Sequence, residues 1–194
     1  MTATAYAVAD KTGGERRVTV AEEFLKQAAA ECLRMKVLAD RAIAQVSDHE
    51  LHRAPDPEAN SIAVLMQHVG GNLRGRFTDF LTTDGEKPDR DRDSEFVDQG
   101  LDRDGLLQVW EAGWGRFFTT VGELREADLL KTVTIRAEPH SVIRALERTV
   151  SHTSYHCGQI VFLCKAIGSG KWQTLSIPRG GSQQFNEQMR GRQA

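Results

Sequence analysis

His152 and His156 stand four residues apart in the segment Ser151-His152-Thr153-Ser154-Tyr155-His156-Cys157-Gly158-Gln159-Ile160. On an α-helix such a pair shares one face, one turn apart, with Cβ atoms roughly 5–6 Å from each other. Two imidazoles at that spacing can close on one divalent cation. His68 sits in an earlier apolar segment, and an adjacent helix can carry it to the same point. Three neutral imidazoles leave a metal such as Zn²⁺ with its positive charge intact and a position open, which suits Lewis-acid chemistry. The competing reading of the pair is hydrogen-bonded core or half-exposed histidines, and for His68 alone it is a satisfied core residue. A ligating imidazole donates its second ring N–H to a neighbour, so Asn72, Gln159 and Tyr155 are the candidate partners. His49 and His52 read as solvated turn residues, and His140 as part of a helix start.

The elements that must position these residues follow from periodicity and end signals. Thr19 and Glu22 form a capping box that opens a first helix reaching about Val46. Asn60 caps a second helix from Ser61 to about Leu81, in which Gly70, Gly71 and Gly75 permit close packing or a kink. A third runs from about Asp104 to Arg125. The fourth begins at Pro139, carries both histidines and stops at Gly168. Thr132–Ile135 looks β-like but is too short to imply a sheet. The polar stretch Thr82 to Asp104 is long for a connector and reads as a functional loop or lid. Trp110 and Trp114 are candidates to shape a pocket, and the tail after Gly168 reads as irregular. The fold class is therefore all-α, a four-helix bundle over 19–186, with a flexible leader over 1–18 and a C-terminal tail over 187–194.

Composition bounds the function. Of 194 residues, 40% are hydrophobic and 27% charged, with a net charge of −2, the balance of a soluble globular domain without a basic field for nucleic acid or anionic membrane. No apolar run approaches the ~20 residues of a membrane span. The first residues lack a charged head followed by an apolar block, so a cytoplasmic location is expected. Cys32, Cys157 and Cys164 form no C-x-x-C pair and read first as small buried apolar residues; a thiolate ligand or redox thiol, Cys157 beside His156 above all, is the second reading. Gly168-Ser169-Gly170-Lys171 lacks the first glycine and the hydroxyl of a phosphate loop. Asp89, Asp91 and Asp93 lack the glycine and glutamate of a calcium loop. No H-E-x-x-H and no Glu-x-x-His pair occurs, which argues against zincin and ferritin-like di-iron sites. Arg16-Arg17 and Arg90/Arg92 are too sparse for a nucleic-acid patch.

One His on the second helix, His152-x-x-x-His156-x-Gly158-Gln159-Ile160 on the fourth, Glu138-Pro139-His140, and the tail Trp172-Gln173-Thr174-Leu175-Ser176-Ile177-Pro178-Arg179-Gly180 together resemble the DinB/YfiT-like metalloenzyme superfamily, and its DUF1572 branch in particular. The resemblance spans roughly residues 20 to 186. It implies an up-down-down-up four-helix bundle, often a homodimer, with His68, His152 and His156 holding zinc, nickel or a similar divalent metal. Relatives with known activity include S-transferases that use low-molecular-weight thiols and a mycothiol-dependent isomerase. The expected function is a divalent-metal-dependent enzyme acting on a small molecule, a thiol S-transferase (the thiol serving as co-substrate) or a hydrolase, with no catalytic acid or base named. The alternative is a non-catalytic metal-binding or structural dimeric bundle.

Overall fold

Local capping chemistry sets most of the element boundaries. The computed structural model describes residues 18–88, 90–170 and 172–191; the expected leader before Val18, Arg16-Arg17, Asp89, Lys171 and the end of the tail (192–194) lie outside them. Helix α1 (Val20–Ile43) opens on the predicted capping box, with Glu22 N–H donating to Thr19 Oγ1 at 3.2 Å and Thr19 N–H to Glu22 at 3.0 Å. It stops short of Val46 because a second capping box, Ser47 with Glu50, starts the unforeseen short helix α2 (Asp48–Leu51). Helix α3 (Ile62–Phe77) is capped by Ser61 rather than Asn60, the Ser61 hydroxyl accepting from Val64 N–H at 3.2 Å. It ends at Phe77 instead of Leu81, where Thr78 turns extended and Asp79 takes a positive φ of 48°. Asp102 caps α4 (Arg103–Glu123), which starts one residue before the expected Asp104. Ser141 caps α5 (Val142–Ile167), which stops before Gly168 as predicted.

Two expectations fail after α4. Thr132–Ile135 is a real strand, β1, and pairs antiparallel with β2 (Glu138–Ser141), so Pro139 lies in a strand and not at a helix start. The two-residue turn between them, Arg136-Ala137, has φ of 57° and 60°, the primed geometry that usually selects Asn-Gly. The carboxylate of Asp84 makes it possible here: it accepts from Arg136 N–H and Ala137 N–H, both at 2.8 Å. The tail is also not wholly irregular, since Ser182–Gly191 forms a helix, α6.

The described chain is thus mostly helical with one small two-stranded sheet. Helix α1 packs mainly along α5, and α3 mainly along α4 and also against α5. Fully buried Trp110, Trp114, Phe117, Phe77, Leu146 and Ile160 build the core, so the two tryptophans do not shape a pocket. The α3–α4 crossing is close because Gly70 and Gly113 face each other: a Cβ on Gly113 would lie 2.6 Å from Gly70 Cα, and one on Gly70 2.6 Å from Val109 O. Among the described residues no helix is long and apolar enough to cross a membrane.

Candidate metal centre

The i, i+4 pair on α5 and His68 on α3 meet, as the spacing and the packing of α3 against α5 require. One ligand nitrogen from each of His68, His152 and His156 falls within 4.8 Å of the other two. His68 and His156 are buried and His152 is half-buried. His68 Nε2 lies 3.1 Å from His152 Nε2, close to the roughly 3.3 Å that separates two nitrogens sharing a tetrahedral metal at about 2.0–2.1 Å.

Neighbours fix which nitrogens face inward. His68 Nδ1–H donates to Glu95 Oε2 at 3.0 Å, and His156 Nδ1–H donates to Gln159 Oε1 at 2.8 Å. Nε2 of each ring is then the unprotonated nitrogen, the tautomer a metal ligand needs. Gln159 is the partner the sequence suggested. Tyr155 is not, being 64% exposed with only a ring contact to His156. Asn72 is buried beside the site, and its Oδ1 has no hydrogen-bond partner. His152 Nδ1 is likewise buried and unpartnered.

Glu95 is the residue that sequence reasoning missed. It comes from a 3-10 turn (Asp93–Phe96) inside the long polar segment, where no spacing rule connects it to a histidine 27 residues earlier. The segment read as a loop or lid thus lies over His68, with the Phe96 ring 4.3 Å from that imidazole. Gln67 anchors it by donating to Val97 O at 3.0 Å. Arg90 grips Glu95 through two hydrogen bonds of 2.7 Å and reaches Glu86 at 3.3 Å. Burial alone would push the Glu95 carboxyl up, but the bonds from His68 and Arg90 outweigh it and hold it below the usual range. Gly71 makes the space, since a Cβ there would come within 2.9 Å of Glu95 Cδ.

Electrostatics favour neutral rings. Burial lowers the His152 pKa to about 3, helped by the positive surroundings of His156, His68, Arg76 and Arg90. Burial also lowers that of His156, against the bond from Gln159. Imidazoles oriented by Glu95 and Gln159, with burial keeping His152 and His156 neutral, suit a divalent cation. The remaining titratable candidates stand apart. Cys32, Cys157 and Cys164 are buried, and their thiols are pushed up to about 11, 12 and 12 by that burial, so they behave as apolar filling. His49 is exposed. His52 is no free turn residue, because its Nδ1 lies 2.7 Å from Asp98 Oδ2. His140 is on β2, with Nε2 3.6 Å from Glu138 Oε2, and caps nothing.

A different buried group completes the surroundings. Arg76, two turns beyond His68 on α3, is 6% exposed, and its Nε and Nη1 have no hydrogen-bond partner. Burial, and then the cationic neighbours Arg148, Arg90 and Arg136, lower its pKa to about 10.

Among curated proteins no match is found. The family model described as "Protein of unknown function (DUF1572)" matches residues 19–181, a span that takes in all three histidines, Glu95 and Gln159, and the chain belongs to that family.

Proposed function

We propose that this chain is a divalent-metal-dependent enzyme of the DinB/YfiT-like type, an up-down-down-up four-helix bundle working as a cytoplasmic homodimer on a small molecule. His68, His152 and His156 hold the metal, zinc or nickel by the chemistry of the donors. The observation that carries the reading is the convergence of three imidazole nitrogens within 4.8 Å, with Glu95 and Gln159 fixing two of the tautomers. A bound cation supplies Lewis-acid chemistry, favouring loss of a proton from a water or thiol near neutral pH. The reaction is S-transfer from a low-molecular-weight thiol to an electrophile or, with water in the thiol's place, hydrolysis.

The chain's own residues orient and insulate. Glu95 orients the His68 ring and makes it a stronger donor, and Arg90 keeps that carboxylate ionised. Gln159 does the same geometric work for His156. Phe96 packs over His68 and keeps water from that side of the ring. Glu95 is already engaged by two partners, so it positions His68 and is not assigned as an acid or base.

Elemental analysis of protein purified without an affinity tag tests the site. Wild type should carry about one metal per chain and His156→Ala close to none; near-zero metal in both overturns the reading. Incubation with candidate thiols and a reactive electrophile tests the reaction. Metal-dependent thiol consumption is expected for S-transfer. A metal-loaded protein that consumes no thiol and hydrolyses nothing is a binding protein instead.

A further inference from the structure

Arg76 carries an unused charge next to the candidate centre. Positions 68, 72 and 76 fall on one face of α3, so His68, Asn72 and Arg76 form a row that climbs roughly 12 Å of helix. All three are buried, and Asn72 Oδ1 and Arg76 Nε and Nη1 have no partner. Glu86, the carboxylate that favours the Arg76 charge, and two further carboxylates of this region are engaged with other groups. Glu95 holds Arg90 and His68, Glu86 lies 3.3 Å from Arg90 and 3.2 Å from Arg136, and Glu138 lies 3.6 Å from His140 and 3.9 Å from Arg148. A buried guanidinium ordinarily has such a partner, because an uncompensated charge away from water is among the most unfavourable arrangements a fold can keep. The C-terminal end of α3 offsets part of that charge, yet none of its carbonyls accepts from Nε or Nη1.

We infer that Arg76 is the receptor for an oxyanion carried by the substrate, a carboxylate or a phosphate. Guanidinium N–H groups match both, and the row runs from the oxyanion at Arg76 toward the reacting atoms at the three histidines. That the oxyanion belongs to a substrate rests on the enzyme reading above; that an oxyanion binds at Arg76 does not.

The test uses full-length protein stripped of metal by a chelator, so that no probe binds through a cation and failure of the metal reading leaves this result untouched. Melting temperature is followed against inorganic phosphate and against acetate, with chloride at matched ionic strength as the reference. One or both should raise it in wild type: phosphate alone identifies a phosphate-bearing substrate, and acetate alone a carboxylate. The apparent affinity should weaken roughly tenfold or more in Arg76→Met. Asn72→Asp, which supplies an internal carboxylate one turn away, should melt higher without ligand and lose the response. No rise above chloride in wild type overturns the inference, and so does an undiminished response in either variant.

Discussion

Two polar clusters lie between helices of this protein, one part-buried around Lys36 and one around the three histidines, and they differ in how completely they satisfy themselves. Around Lys36, the ammonium meets Asp40 at 2.7 Å and Glu111 at 2.6 Å, while Trp110 Nε1–H donates to the second oxygen of Asp40 at 2.8 Å. Burial works against the Lys36 charge, but the two carboxylates outweigh it and raise its pKa. Around His152, by contrast, its own Nδ1, Asn72 Oδ1 and two nitrogens of Arg76 are buried without partners. Each such group costs about 1–3 kcal/mol, and more when charged. The first cluster ties α1 to α4 and is finished when the chain folds. On the proposed reading, the second is completed by the metal and by the substrate's oxyanion. Several unmet hydrogen bonds gathered beside three converging imidazoles, and not polarity as such, set this cluster apart from the structural contact at Lys36.

The sharpest way to break the contrast is to supply the metal. A cation at about 100 times its Kd should stabilise wild type by about 2.7 kcal/mol, seen as a rise in Tm with added zinc or nickel, and the rise should vanish in His156→Ala. In that variant the metal-free Tm should fall by a few degrees at most, since the ring loses Gln159 and its contacts with His68, His152 and Tyr155, and metal should no longer move it. The finished cluster should behave oppositely. Asp40→Ala removes one acceptor from Lys36 and the acceptor of Trp110 and should destabilise by about 2 kcal/mol, below the roughly 3–5 kcal/mol of a fully buried pair because Asp40 is partly solvated and Lys36 keeps Glu111. Its metal content should stay at the wild-type level, and a parallel loss would erase the distinction.

Finer changes sharpen the comparison. Glu95→Gln keeps an acceptor for His68 but removes the charge, so metal affinity should fall about tenfold, measured by competition with a chromophoric chelator. Asp84, which fastens the segment carrying Glu95 to the hairpin, provides the pH test. The N–H of Glu86, and then those of Ala137 and Arg136, lower its pKa from 3.8 to about 2 in the folded state. Its contribution is therefore complete above about pH 4 and lost as pH falls toward 2. The stability gap between wild type and Asp84→Asn, from urea melts, should shrink steadily from pH 5 to pH 2. A constant gap contradicts that role for Asp84.

The sequence was most legible where information is local. The helix positions of His152 and His156, the capping box at Thr19, the stop at Gly168 and the apolar burial of the cysteines all depend on residues within a turn or two of each other. Boundaries were misread where two side chains competed for one cap, Ser61 against Asn60, and the start of α4 was placed a residue late. The hairpin was misread because Arg136-Ala137 carries no turn signal of its own; its conformation is held by Asp84, a residue distant in sequence.

What the chain determined alone is which residue types could serve a metal and that two of them share a helix face. Tertiary structure decided that His68 joins them, that Glu95 rather than Tyr155 orients a ring, and that Nε and Nη1 of Arg76 are left without a hydrogen-bond partner. The reason is that helical periodicity is written in neighbouring residues, whereas the approach of a loop carboxylate to a histidine depends on how α3, α4 and α5 pack. Close packing at Gly70 and Gly113, and the space left at Gly71, set that approach, and their effect appears only when the helices are in contact.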